Sequence, residues 1–194
     1  MKNIFLLVTL LLLCFSSCKT LKRASEISPD TKPVSTPVAS VSSPANEFSD
    51  RQTWLLGYFD PARLKSEPYS EWYNKGYDDY EFNSEGLNKL LELNKDNLSV
   101  KVVMGTWCSD SRKQIPRLMR IIDIWQFPVT GLTFIGVDDK KHSPVDELSS
   151  LNIQRVPTII IYKNNIEAGR IIESPVTSLE QDMVNIISGV NNNK

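Results

Sequence analysis

Apolar positions recur along this chain at helical and strand spacings that predict its elements. Residues 77–82, with three aromatics among six residues, read as a strand. Leu87, Leu90, Leu91 and Leu93 form a helical stripe, with Ser84 placed as its N-cap. Residues 100–104 are a short apolar run, as in a buried strand, and a helix is predicted over 109–125. A second buried strand follows at 132–137, closed by Asp138-Asp139, and Ser143-Pro144 carries the N-cap and first-turn proline signature of a short helix. Two strands, 156–162 and 166–172, meet at Asn164-Asn165, a hairpin signal. Thr177 or Ser178 caps a last helix running to Ile187. The order β-α-β-α-β-α-β-β-α predicts an α/β fold, a central mixed sheet flanked by helices.

The first residues read differently. Met1-Lys2-Asn3 precedes a run, 4–15, that is apolar except for Thr9. It is shorter than the roughly 20 residues a membrane span needs, so 1–17 reads as a secretory signal. Phe15-Ser16-Ser17-Cys18 resembles a bacterial lipobox, with Phe15 where that pattern prefers leucine. The resemblance implies that Cys18 is lipidated and becomes the new N-terminus. Pro29, Pro33, Pro37 and Pro44, set among Ser, Thr, Val and Ala, make 18–50 a semi-extended linker that buries too little to fold. Lys19, Lys22 and Arg23 either meet anionic lipid or are simply solvated. The expected location is the bacterial cell envelope, lipid-anchored, with the folded part in the periplasm.

Charge narrows the function. The 22 basic and 23 acidic residues give a net charge of −1, which argues against a nucleic-acid partner. One histidine and three cysteines cannot supply the usual Cys/His zinc site. Loss of Cys14 with the signal and lipidation of Cys18 would leave Cys108 as the single free thiol, so no intramolecular disulfide could form.

Cys108 stands just after a buried strand and at the start of a helix. Unpaired backbone N–H groups and the helix dipole favour a thiolate there. Asp110 opposes this, since a nearby carboxylate disfavours negative sulfur.

Trp107-Cys108, with Pro116 eight residues on and Arg155-Val156-Pro157-Thr158 before the strand 159–164, resembles the thioredoxin family over residues 77–190. More narrowly the chain is similar to bacterial envelope lipoproteins of that family with a Trp-Cys-x-Asp-Ser motif, here Trp107-Cys108-Ser109-Asp110-Ser111, and Glu-Ser-Pro before the last helix, here Glu173-Ser174-Pro175. The resemblance implies a thioredoxin-like fold, Cys108 as nucleophile, Pro157 as a cis-proline, and Val156, Pro157 and Thr158 as the substrate-binding loop. It implies no metal and no cofactor. The partners it implies are protein or small-molecule thiols and disulfides, with a membrane contact through the N-terminal lipid and a monomeric state.

Three positions depart from the family. Ser111 replaces the resolving cysteine, Val102 stands where the family often has a buried acid, and Glu173 lies near a glycine position beside the cis-proline. Ser111 cannot attack sulfur; its hydroxyl can donate a hydrogen bond to a Cys108 thiolate. Two readings follow: monothiol exchange through Cys108, with an external thiol resolving the mixed disulfide, or a redox-inactive peptide-binding module.

Trp107 is expected to pack beside the thiol or simply to fill the core. His142 lies in a polar turn, better placed as a solvated side chain than as a base for Cys108, and Asp138-Asp139 fits a turn better than a metal site. Arg112 and Lys113 either raise the local potential or face solvent. Trp54, Tyr58, Phe59, Tyr69, Trp72, Tyr73, Tyr77, Tyr80 and Phe82 are more than half of the chain's aromatics. They crowd residues 54–82, and 51–76 reads as an aromatic-rich N-terminal extension, packed on the sheet or serving as a docking surface. Residues 191–194 form a tail.

Overall fold

The computed structural model describes residues 50–190. The expected signal segment, the expected lipidation site Cys18, most of the expected 18–50 linker and the 191–194 tail lie outside them. Strand β1 (Gly57–Tyr58) is followed by helices α1 (Ser70–Asp78) and α2 (Ser84–Leu91). Strand β2 (Leu98–Met104), helix α3 (Ser109–Trp125) and strand β3 (Leu132–Gly136) form a crossover unit. The hairpin β4 (Thr158–Lys163) and β5 (Ile166–Ile172) and helix α4 (Leu179–Ile187) complete the chain. The five strands lie in the order β1-β3-β2-β4-β5. β2 and β3 are parallel, with Val100 opposite Leu132 and Met104 opposite Gly136. β1 is antiparallel to β3, β4 to β2, and β5 to β4. This is a mixed α/β fold, its five-stranded mixed sheet flanked by helices.

Alternation along the strands sets the two layers. Val100, Val102, Met104, Phe134, Ile159 and Ile161 point into one cluster with the apolar stripes of all four helices, including Tyr73, Leu90, Leu118, Ile122 and Met183. Val103, Ile135, Val137 and Ile160 face the other way, onto Val145, Leu148, Leu151 and Val156. Each such side chain contributes about 1.5–3 kcal/mol when fully buried.

Local chemistry closes the elements. Asn164 and Asn165 both have positive φ (53° and 62°), as the two-residue turn between β4 and β5 requires. Ser178 caps α4 by accepting from the Gln181 N–H at 3.2 Å. α3 runs through Pro116, which removes the donor that Arg112 O would otherwise receive. Pro116 packs instead against Gly76 of α1, where a Cβ would come within 3.1 Å of its ring.

Several sequence expectations are corrected. No strand forms at 77–82. Tyr77 belongs to α1, stacks on Tyr73 one turn earlier with ring centroids 6.1 Å apart, and donates from its hydroxyl to Asp123 of α3 at 2.7 Å. Arg120 of α3 caps the same helix by donating to the carbonyls of Tyr77 and Asp78. Packing against α3 thus overrides the local strand signal of the aromatics, and the division at 76/77 falls inside α1. The N-cap of α2 is Asn83, one residue before the expected Ser84, with Oδ1 accepting from Gly86 N–H at 2.7 Å. Ser143-Pro144 opens no helix, because the Ser143 hydroxyl is taken by the Gly57 N–H of β1 at 3.0 Å. The connector coils only at Asp146–Leu151, as a 3₁₀ turn. β4 begins at Thr158, leaving Val156 and Pro157 in the loop before it.

Candidate functional site

The parallel strand β2 ends at Met104, and Gly105-Thr106-Trp107 turns the chain into α3. Cys108 N–H closes that turn on Gly105 O at 3.0 Å. Cys108 occupies the N-cap position with extended dihedrals, and its carbonyl accepts the first helical bond from Arg112 N–H at 3.0 Å. No side chain caps this helix end. The sulfur therefore sits beside N–H groups that have no intrahelical partner. Cys108 is half-buried and is the one free cysteine among the described residues.

The thiol faces the loop before β4. Its Sγ donates to Val156 O at 3.2 Å, across 48 positions of sequence. The Val156–Pro157 peptide bond is cis. Pro157 is buried, and its carbonyl accepts from Glu173 N–H at 2.8 Å. Thr158, also buried, donates from Oγ1 to Arg155 O at 2.6 Å and so closes the loop on itself. Cys108, Val156, Pro157 and Thr158 are thus brought to one place at the end of the sheet.

Ser111 lies differently from the sequence expectation. It is completely buried, and its oxygen accepts from the Gly105 N–H at 3.3 Å. No Ser111–Cys108 hydrogen bond forms; the serine ties down the turn before the thiol. Val102 is likewise fully buried among apolar residues.

Trp107 is fixed from three sides. Its Nε1 donates to Val137 O at 2.9 Å. Its ring lies so close over Gly105 that a Cβ there would meet the indole at 2.5 Å. Trp54 packs against it with centroids 6.0 Å apart and planes tilted by 49°. Trp107 and Cys108 both pack on the smaller cluster beneath them.

Other candidates fall away from the thiol. His142 is exposed, and its Nδ1 lies 3.6 Å from an Asp138 oxygen. The Asp138 carboxylate accepts from the N–H groups of Lys140 and His142 at 2.9 and 2.6 Å, which is turn chemistry. Lys113 is exposed and Arg112 half-buried on α3. Among the described residues, no group of three or more His, Cys, Asp or Glu side chains could hold a metal ion. A cleft of ≈ 620 Å³ lies along the connector 140–154, lined by Lys140, His142, Asp146 and Ile153; neither Cys108 nor Pro157 borders it.

Sequence reasoning gave no role to Thr106, Arg155 or Gln114. Thr106 is buried before the motif, and Arg155 makes a 2.7 Å ion pair with Glu173 beside the proline loop. Gln114, buried on α3, donates to Ser174 Oγ at 3.3 Å and holds the loop after β5 near the helix. All three act through partners distant in sequence.

No protein-family model and no curated protein matches the chain. A crystal structure of a protein of unknown function from Pseudomonas aeruginosa is similar at a TM-score of 0.43 and 11% identity, over 62% of this chain and 80% of that one. That likeness is too distant to bear on activity. No helix among the described residues is long and apolar enough to cross a membrane.

Proposed function

We propose that the chain is a thioredoxin-like protein of the bacterial cell envelope, lipid-anchored through Cys18, that performs monothiol–disulfide exchange through Cys108. The observation that carries this reading is the half-buried Cys108 sulfur at the head of α3, 3.2 Å from the carbonyl that precedes a cis-proline. The parallel β2-α3-β3 unit followed by the antiparallel β4-β5 hairpin supports the fold assignment.

The proposed exchange begins as Cys108 gives its proton to solvent. The thiolate attacks one sulfur of a client disulfide; the Cys108–client S–S bond forms, the original S–S bond breaks, and the second client sulfur leaves as a thiolate. An external thiol then attacks the mixed disulfide and regenerates Cys108. No net oxidation occurs: one disulfide is consumed and one is formed. Once the Cys108 proton is gone, Val156 O has lost its donor and is free to accept an N–H from an extended client. Trp107 walls one side of the sulfur, and the Pro157-Thr158 loop supports the other.

The buried Ser111 and the apolar Val102 favour a second reading, in which the same loop binds peptides without exchange. Incubation with glutathione disulfide, followed by mass spectrometry and peptide mapping, separates the two. The expected product is a glutathione adduct on Cys108, distinguished by mapping from Cys14 and Cys18 and released by dithiothreitol. A folded protein that stays unmodified while its urea-unfolded form reacts would refute exchange. Client binding unchanged by Cys108→Ser would then support the second reading.

A further inference from the structure

We infer that Thr106 and Trp54 are positioning residues for Cys108, so that the Thr53–Leu55 segment is a working part of the thiol site. The inference deepens the exchange reading above and rests on it. Thr106 lies two residues before the cysteine and is buried, yet its hydroxyl is used twice. Oγ1 accepts from Leu55 N–H at 3.3 Å and donates to Thr53 O at 3.2 Å. One side chain thereby grips both ends of a three-residue stretch, as a neighbouring strand would. The Thr53 carbonyl also accepts from the Tyr69 hydroxyl at 2.8 Å, which anchors the stretch at the start of α1. Between the two grips, Trp54 is set against Trp107 at 6.0 Å. Trp107 is the direct neighbour of Cys108, and its indole is otherwise held by the Val137 carbonyl. The hydroxyl thus fixes the turn, Trp54 fixes the ring, and together they fix the direction in which the sulfur is open.

A β-branched apolar replacement separates this role from bulk. Thr106→Val keeps shape and loses both hydrogen bonds, whereas Thr106→Ser keeps the hydroxyl. The measurement is the rate constant for Cys108 glutathionylation by glutathione disulfide in the full-length chain, at urea concentrations where each variant is folded. Thr106→Val is expected to slow exchange on the order of tenfold, since displacement of reacting atoms by an ångström costs up to about 10²-fold. Thr106→Ser is expected to restore the wild-type rate. Thr106→Val that unfolds at lower urea yet exchanges at the wild-type rate overturns the inference while leaving the exchange reading intact. Wild-type protein that does not exchange overturns both. Should Thr106→Val fail to fold, Trp54→Leu serves, because Trp54 is only half-buried. Slower exchange is the expected result, and a wild-type rate overturns the inference.

Discussion

Glycine at position 173 separates backbone strain from ion pairing beside the thiol. Glu173 has φ of +59°, in the left-handed region. A side-chain-bearing residue there costs about 1–2 kcal/mol, which glycine avoids. Glycine returns about 0.4–1 kcal/mol of that as unfolded-state entropy. The backbone change alone is therefore worth roughly 0.5–1 kcal/mol in favour of glycine. Against it stands the Arg155 Nη1–Glu173 Oε2 pair at 2.7 Å, with side chains 66% and 35% exposed. A pair so exposed contributes about 0–1 kcal/mol and fades in salt. The Glu173 N–H to Pro157 O bond survives either change, being backbone to backbone. Glu173→Gln removes the charge and keeps the strain, so Glu173→Gly compared with Glu173→Gln isolates the backbone. In urea denaturation Glu173→Gly is expected to melt roughly 0.3–0.5 M later than Glu173→Gln. In 1 M salt, where the Debye length is about 3 Å, Glu173→Gly is expected to exceed wild type as well. A glycine variant less stable than the glutamine variant at high salt would refute the strain argument and assign the side chain another role.

Three further outcomes are expected. The Glu147 carboxylate is held below its ordinary value of 4.5 by hydrogen bonds from Lys101 and then Tyr58. Its stabilisation is present above pH 4.5 and lost as pH falls through the lower folded value. The stability gap between wild type and Glu147→Gln is therefore expected to close below that pH in urea titrations, and a constant gap would refute it. The buried Tyr73 hydroxyl has no hydrogen-bond partner, so Tyr73→Phe is expected to stabilise by about 1 kcal/mol and raise Tm by about 2–4 °C in calorimetry. A fall in Tm would show that the hydroxyl is bonded. Gly105→Ala drives a methyl into the Trp107 indole at 2.5 Å and breaks its bond to Val137 O, at a cost of about 1–3 kcal/mol. Glutathionylation of Cys108 is expected to slow as Trp107 shifts, and an unchanged rate would mean that Trp107 does not direct the sulfur.

The elements most readable in advance were those written in neighbouring residues. α3 spans Ser109–Trp125 and β5 spans Ile166–Ile172 where the pattern placed them, and Asn164-Asn165 makes the expected turn. Period, capping and left-handed propensity act over a few residues, so a linear reading reaches them. The stretch 77–82 misled for the same reason. Its aromatic content is a local signal, whereas the helix through Tyr77 is held by Asp123 and Arg120, more than 40 positions away. At the site, the placing of Cys108 at a strand–helix junction was local and legible, while the partner of Ser111 depended on how tightly the turn closes.

By itself the chain determined α3, β5, the turn between β4 and β5, and that Cys108 would stand at a helix start. Tertiary structure decided what that cysteine faces. Val156 O reaches the sulfur, Thr106 grips Thr53 and Leu55, and Arg155 meets Glu173 because the sheet order lays distant strands and loops side by side. Local propensity is worth tenths of a kcal/mol per residue and is set by the nearest neighbours. Which buried polar atoms meet is settled only when the whole core packs, since each must find its partner there.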